Sequence, residues 1–256
     1  MHAYSGGDRL LGGFYPWGTS MPTEMMIRRL RVNSDISDDD ASALRTLPSR
    51  IREVPEETVF IHEGDRPSHC CVIMSGFAFR SKVTEGGKRQ ILSFHPAGDL
   101  PDLHGLLLER TDHDLTTLSD ARLAFIEHRH INKLIEARPT IGRALWRETL
   151  VDAAIFRERI VNLGTRSAPA RLAHFVAELR HRLSAVGLAV DDEFEFPITQ
   201  AELAEALGLS TVHVNRVIQS FRAAGVLDIA RSRVRLKDIE RLVNIGGFNE
   251  LYLHAQ

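Results

Sequence analysis

Cysteine is nearly missing from this chain of 256 residues: there are two, Cys70 and Cys71, and they are neighbours. Neighbours on an extended strand point to opposite faces, so a disulfide framework or a four-cysteine metal cluster is excluded. No apolar run approaches the ~20 residues that a membrane helix needs. The first residues have no cationic segment followed by an apolar core, so export is not expected and the reducing cytoplasm is the expected compartment. A glycine-rich phosphate loop, a Ser–His–Asp order and paired carboxylates are also missing, which argues against an enzyme. The formal net charge of −2 rules out a uniformly basic coat. Hydrophobic and charged shares of 43% and 26% are those of an ordinary globular chain.

What is present changes character along the chain. Residues 1–30 open with glycine and no periodicity, and are expected to be a flexible segment. In "SDDDASALRTLP", Ser37 is a good N-cap and three acids follow in the first helical turn, where the helix dipole favours them. Short alternating runs then succeed one another: "TVFIHE", "CCVIMSG", "FAFRSKV", "RQILSFH" and "ARLAFIE", separated by turn signals such as "TEGGKR" and "PAGD". Strands at this spacing predict an antiparallel sandwich or roll over residues 31–138. From Pro139 the period becomes helical, and one long helix is predicted over 139–164. It carries apolar residues all round (Leu145, Trp146, Leu150, Ala153, Ala154, Phe156, Ile160, Val161), so it must pack on two sides. One side suits the β-domain. The other suits a second copy of the helix, with a core helix inside a single chain as the alternative.

The remaining residues, 165–256, contain the most informative stretch, "ITQAELAEALGLSTVHVNRVIQSFRAAGVL". Thr199 and Glu202 stand at capping-box spacing. Gly208 suits a tight turn and Ser210 a second N-cap. In the helix that follows, Val214, Val217, Ile218 and Phe221 form a stripe to be buried. The opposite stripe is Val212, Asn215, Arg216 and Gln219: one cation, two amides, one methyl-bearing residue and no acid. These are the side chains that grip guanine, adenine and the thymine methyl in a DNA major groove. Thr211 and His213 flank them, where phosphates are reached. "VLDIARSRVRL" reads as a hairpin with Arg231 and Arg233 near its tip. Between Ser210 and Arg241 there are seven Arg/Lys against three acids, a local excess near +4 on an acidic chain.

The stretches "FIHEGD" (60–65), "VIMSGFAF" (72–79), "EGGKRQILSFHPAGD" (85–99), "VNLG" (161–164) and "ITQAELAEALGLSTVHVNRVIQSF" (198–221) resemble, in this order, the Crp/Fnr superfamily of bacterial transcription regulators. The resemblance covers roughly residues 35–240. It implies an α+β chain: an antiparallel β-roll of double-stranded β-helix or jelly-roll type, a long dimerisation helix and a C-terminal winged helix-turn-helix. It implies a homodimer joined through Leu145, Trp146, Leu150, Ala153, Ala154, Arg157, Ile160 and Val161. The partner is then double-stranded DNA with a near-palindromic operator, its half-sites about 34 Å apart. The DNA contacts would come from Thr199, Ser210, Thr211, Val212, His213, Asn215, Arg216, Gln219, Arg231 and Arg233. RNA polymerase is a further candidate partner.

This sequence also departs from the family's pattern. Where members that bind a cyclic nucleotide carry Gly-Glu and then Arg-Ser, Asp102–Leu103 and Thr111–Asp112 stand here, and an acid repels phosphate. Phe156 and Arg157 replace the Thr-Ser pair that touches adenine. The cysteines that hold an iron–sulfur cluster are missing, and Val212 stands where well-known members place a glutamate that accepts from cytosine. Cyclic AMP is therefore not expected as a ligand, and no cofactor is. An effector of another kind would use Arg89, Asp102, His104, Phe156 and Arg157. The spacings His104/His113 and His128/His130 match no strong ligand pattern, so no metal ligand is assigned. A metal- or haem-sensing regulator on the same scaffold is the alternative, and a cupin-like metal enzyme the rival from another class.

Overall fold

The computed structural model describes residues 23–255. The flexible segment expected over 1–30 lies outside these for residues 1–22, and the part inside is corrected: Glu24–Asn33 is a helix, α1. Met26, Ile27 and Leu30 fall on one side of it and are fully buried, which ties the segment to the body of the protein. Helix α2 (Asp38–Arg45) begins where expected, with the Ser37 hydroxyl accepting from the Asp40 backbone N–H.

Seven strands follow: β1 (Arg50–Val54), β2 (Val59–Ile61), β3 (His69–Ser75), β4 (Phe77–Val83), β5 (Arg89–Pro96), β6 (Asp114–Thr117) and β7 (Ala121–Glu127). They form two antiparallel sheets, β1-β7-β3 and β2-β6-β4-β5. Sequence pattern missed β1 and β6. Strand β1 is exposed along most of its length and so has no alternation, while β6 has only four residues. Cys70 packs with Met26, Leu30 and Ala124 on the helical side of its sheet, and Cys71 with Ile73, Ala78 and Leu123 on the other. The opposite-face reading of this pair holds. Burial pushes both thiols up, so they stay protonated and inert.

Helix α3 (His128–Ala137) leads into α4 (Pro139–Thr165), with Pro139 in its first turn. Helix α5 (Ala168–Ala185) turns back along the β-roll, where the Phe175 ring packs against Phe94 with centroids 5.4 Å apart, tilted by 52°. After β8 (Ala189–Val190) and β9 (Glu193–Glu195) come α6 (Gln200–Leu207), α7 (Thr211–Ala223), β10 (Leu227–Ala230), β11 (Arg233–Leu236) and α8 (Ile239–Gly246). Gly246 lies so close on α5 that an added Cβ would stand 2.5 Å from the His174 backbone nitrogen. The boundary drawn near residue 165 does not separate two cores. Phe77, Phe79, Ile91 and Phe94 of the β-roll share one apolar cluster with α5, α6 and α7. Arg89 and Gln90 on β5 add polar ties to Glu205 of α6.

Candidate functional site

Two surfaces and one cavity concentrate the chemistry. The first surface is α6–α7 with its hairpin. Both halves of the capping box are present: the Glu202 N–H donates to the Thr199 hydroxyl, and the Thr199 N–H to the Glu202 carboxylate. Gly208 ends α6 at φ 62°, a left-handed conformation that favours glycine. Ser210 caps α7 by accepting from the His213 N–H. Val214, Val217, Ile218 and Phe221 are buried as the stripe predicts. That fixes the rotation of α7, and Thr211, Val212, His213, Asn215, Arg216 and Gln219 all face solvent. Val212 is 70% exposed, a methyl surface with no core to serve. Asn215 donates to Gln200, and Gln219 accepts from Arg222. Arg216 makes no hydrogen bond or ion pair among the described residues, so its whole guanidinium fork is free to bind.

The hairpin is β10–β11. Arg231 and Ser232 form its two-residue turn with φ of 51° and 55°, as a tight primed turn requires. Strand β11 also pairs with β9. This changes the reading of Arg233: its guanidinium donates to Glu193 at 2.6 Å, and Arg235 holds the other oxygen of the same carboxylate. Hydrogen bonds from Arg235 and Arg233 hold that carboxyl below its ordinary value. Arg222 is likewise paired with Asp228 at 2.7 Å. Asp228 is already among the three acids counted, so Glu193, outside the counted stretch, offsets one of the four excess charges. Arg231 at the tip remains exposed with no ion pair among the described residues.

The second surface runs along α4. Arg143, Trp146, Leu150, Arg157, Ile160 and Gly164 are exposed, with half-buried Ala153 between them, at spacings of three and four. Trp146, Leu150 and Ile160 are 66%, 53% and 71% exposed. Three large apolar side chains thus share a heptad line, an exposed seam that no helix covers among the described residues. Val161 flanks it. Two of the residues expected there do not belong: Leu145 and Ala154 are buried within the chain, because their helical phase turns them toward the core.

Behind the seam lies a cavity of about 170 Å³ between the β-roll, α1, α4 and α5. It holds three arginines (Arg29, Arg80, Arg182) and three acids (Asp99, Glu148, Asp152), together with His95, His104, Pro101 and Phe156. Asp99 is the hub. It accepts from Arg182 at 2.6 Å, stands 3.5 Å from Arg29 and 3.1 Å from His95. Burial alone would push its carboxyl up, but Arg182, His95 and Arg29 together hold it far below the usual carboxylate range. Arg80 donates to Asp152 at 3.0 Å and to the Pro101 carbonyl, and its guanidinium lies over the Phe156 ring. Burial lifts the Glu148 carboxyl while Arg29 at 3.1 Å opposes the rise.

Of the residues expected to hold an effector, His104 and Phe156 line this cavity and three do not. Asp102 is fully buried and turned away: both carboxylate oxygens accept from the Cys71 N–H at 2.9 Å. Burial pushes its carboxyl up to about 7 against the pull of that N–H and of Arg80. Arg157 points out along the seam, one helical phase away from Phe156. Arg89 sits at the far end of β5, over the Phe79 ring and paired with Glu205 at 2.7 Å. Arg110, in the same loop as Asp102, donates to the Gly64 carbonyl at 2.9 Å. Sequence reasoning missed Arg29, Arg80, Asp99, Glu148, Asp152 and Arg182. The one local signal was a cation, Arg80, interrupting the apolar run of "FAFRSKV".

Comparison with known proteins agrees with this architecture. Residues 51–138 match the cyclic nucleotide-binding domain and residues 170–245 the Crp-like helix-turn-helix domain. The chain is 27% identical to the transcriptional activator protein FnrA of Stutzerimonas stutzeri over 208 residues, which cover 81% of this chain and 85% of that one. It is 24% identical to an anaerobic regulatory protein of Haemophilus influenzae over 224 residues, covering 88% and 87%. Among solved structures, FixK2 from Bradyrhizobium japonicum superposes with a TM-score of 0.70 at 21% identity, covering 78% of this chain and 98% of that one. No described helix is long and apolar enough to cross a membrane. With a roll of cyclic-nucleotide-binding type in front, a helix-turn-helix of Crp type behind and regulators as its relatives, the chain belongs to the Crp/Fnr family of DNA-binding transcription regulators.

Proposed function

We propose that this regulator works in the cytoplasm as a homodimer zipped along α4, and that its two α7 helices enter successive major grooves of a near-palindromic operator. The seam of Trp146, Leu150 and Ile160 supports the dimer, since burying such a stripe is what two-stranded coiled coils do. The observation that carries the DNA reading is the outward stripe of α7, held in phase by its buried counterpart, with Arg216 unpaired at its centre. In this reading Arg216 grips a guanine and Val212 covers a thymine methyl. Asn215 and Gln219 contribute after leaving Gln200 and Arg222, while Thr199, Ser210, Thr211, His213, Arg231 and Arg233 lie toward the phosphates. Arg233 can do so only by sharing itself with Glu193. RNA polymerase is the partner through which such a bound dimer would act on transcription.

For the effector we propose one other than cyclic AMP, or none. Asp102 is committed to the Cys71 N–H, Thr111 donates to the His62 carbonyl at 2.6 Å, and Arg110 is tied to Gly64. The loop after "AGD" therefore turns no cation into the cavity. A ligand there shifts DNA binding only by its differential affinity for two arrangements of the dimer.

Competition binding across operator variants tests the reading. Arg216→Ala should cost about 1–3 kcal/mol on the preferred site and lose discrimination at one base position. Equal weakening at every position would show that Arg216 touches backbone alone.

A further inference from the structure

The loop between β5 and β6 brings together two histidines whose sequence spacing suggested nothing. The rings of His104 and His113 lie with centroids 5.0 Å apart, tilted by 57°. One donor atom from each of His104, Asp112 and His113 lies within 4.8 Å of the other two. The Nε2 atoms of both histidines are shut off from solvent and have no hydrogen-bond partner among the described residues. Buried polar atoms in folded chains nearly always find partners, so two neighbouring orphans of one type point to a shared ligand. Asp112 explains which form the second ring takes. Its Oδ1 stands 2.7 Å from His113 Nδ1, so it accepts the Nδ1 proton and leaves Nε2 as a bare lone pair. That is the carboxylate–histidine arrangement that orients imidazoles toward metals.

We propose that His104 and His113 bind one divalent first-row transition ion of the zinc class through their Nε2 atoms, with Asp112 as the positioning residue. Imidazole pairs suit zinc, nickel, copper and iron rather than calcium or magnesium. His104 also lines the cavity, which has room for water near the site. Arg80 is the one feature that opposes a cation. Its charge is already engaged by Asp152, the Pro101 carbonyl and the Phe156 ring. The ion would sit beside the Leu103–Leu106 turn at the edge of the cavity, where an effector could reach α4.

The site does not rest on the DNA reading, and its test is separate. Chelator-stripped, tag-free full-length protein is titrated with ZnCl2 by calorimetry, and with CoCl2 by its visible d–d absorption. One ion per chain is expected, with Co2+ absorption that Zn2+ abolishes. His104→Ala/His113→Gln should weaken binding at least 100-fold while far-UV circular dichroism and metal-free operator binding stay as in the wild type. Asp112→Asn, a change at an exposed side chain, should weaken it 10–100-fold with both histidines in place. It also tests the geometry should the double variant not fold. Absence of Zn2+ binding to the wild-type chain overturns the proposal, as does an unchanged titration in the double variant or in Asp112→Asn.

Discussion

The recognition helix and the cavity behind the seam are built from opposite kinds of information. Every residue that shapes the α7 surface lies within about two turns of its neighbours in the chain: caps at Thr199 and Ser210, a glycine at 208, a buried stripe and an exposed one. The cavity draws Arg29 from α1, Arg80 from β4, Asp99 from the loop after β5, Glu148 and Asp152 from α4, and Arg182 from α5. Its charges, Asp152 apart, are shielded from water and depend on each other. Those of α7 are solvated and nearly independent. A change at the surface should therefore alter binding and leave stability alone, while a change in the cavity should do the reverse.

The sharpest test of this contrast is Asp99→Asn. It leaves Arg182 and Arg29 facing each other without the shared carboxylate. Removing one partner of a buried ion pair costs about 3–5 kcal/mol, read as a fall in the urea midpoint. Arg216→Ala should change stability by no more than about 0.5 kcal/mol, as exposed substitutions do, and leave that midpoint nearly in place. If Asp99→Asn proves equally mild, the cavity is not held by its charges and the contrast fails.

Asp102 sharpens the same point through pH. Its carboxyl is raised by burial to about 7, above its value in the unfolded chain. The folded state thus favours the protonated form. Its contribution is fully present below the unfolded pKa, declines as pH climbs, and is lost above about 7. Asp102→Asn keeps an acceptor for the Cys71 N–H and cannot ionise. Relative to the variant, the wild-type chain should lose about 2–3 kcal/mol between pH 5 and pH 8. The buried histidines shift stability the other way below pH 6.5, but they are common to both chains and cancel in the difference. Parallel urea midpoints for the two proteins across that range would show that Asp102 is not buried in this way.

These contrasts also explain what could be read before any fold was seen. The α6–α7 turn was legible because capping, turn and stripe each act over four residues or fewer. The long helix was legible from Pro139 and its apolar content, but not the phase of each residue: Leu145 and Ala154 are as apolar as Trp146 and Leu150 yet face inward. Asp102 looked like a ligand-loop acid because local sequence says nothing of the Cys71 N–H, 31 residues earlier, that turns it aside. Arg233 looked free because Glu193, its partner, lies 40 residues away. His104 and His113 looked scattered because the loop that closes them up has no period to betray it. Helix α1 was hidden by the glycine-rich residues before it.

The smallest expected effect concerns the hairpin tip, and it separates two kinds of surface charge. Arg231 and Arg233 are two residues apart, and composition counts them alike. In the fold, Arg233 already shares Glu193 with Arg235, while Arg231 stands in the turn with no ion pair among the described residues. A phosphate contact by an unpaired arginine displaces about one condensed counterion from DNA, whereas a paired one must first give up its carboxylate. Arg231→Ala should therefore lower the salt slope of operator affinity by about one and weaken all sequences alike. Arg233→Ala should change the slope less, because Glu193 still faces Arg235. Measuring log Kd against log salt for both variants on operator and random duplex decides it. A larger slope change for Arg233→Ala would mean that Glu193 releases it on binding, so that the ion pairs of the unbound fold do not predict which charges meet DNA.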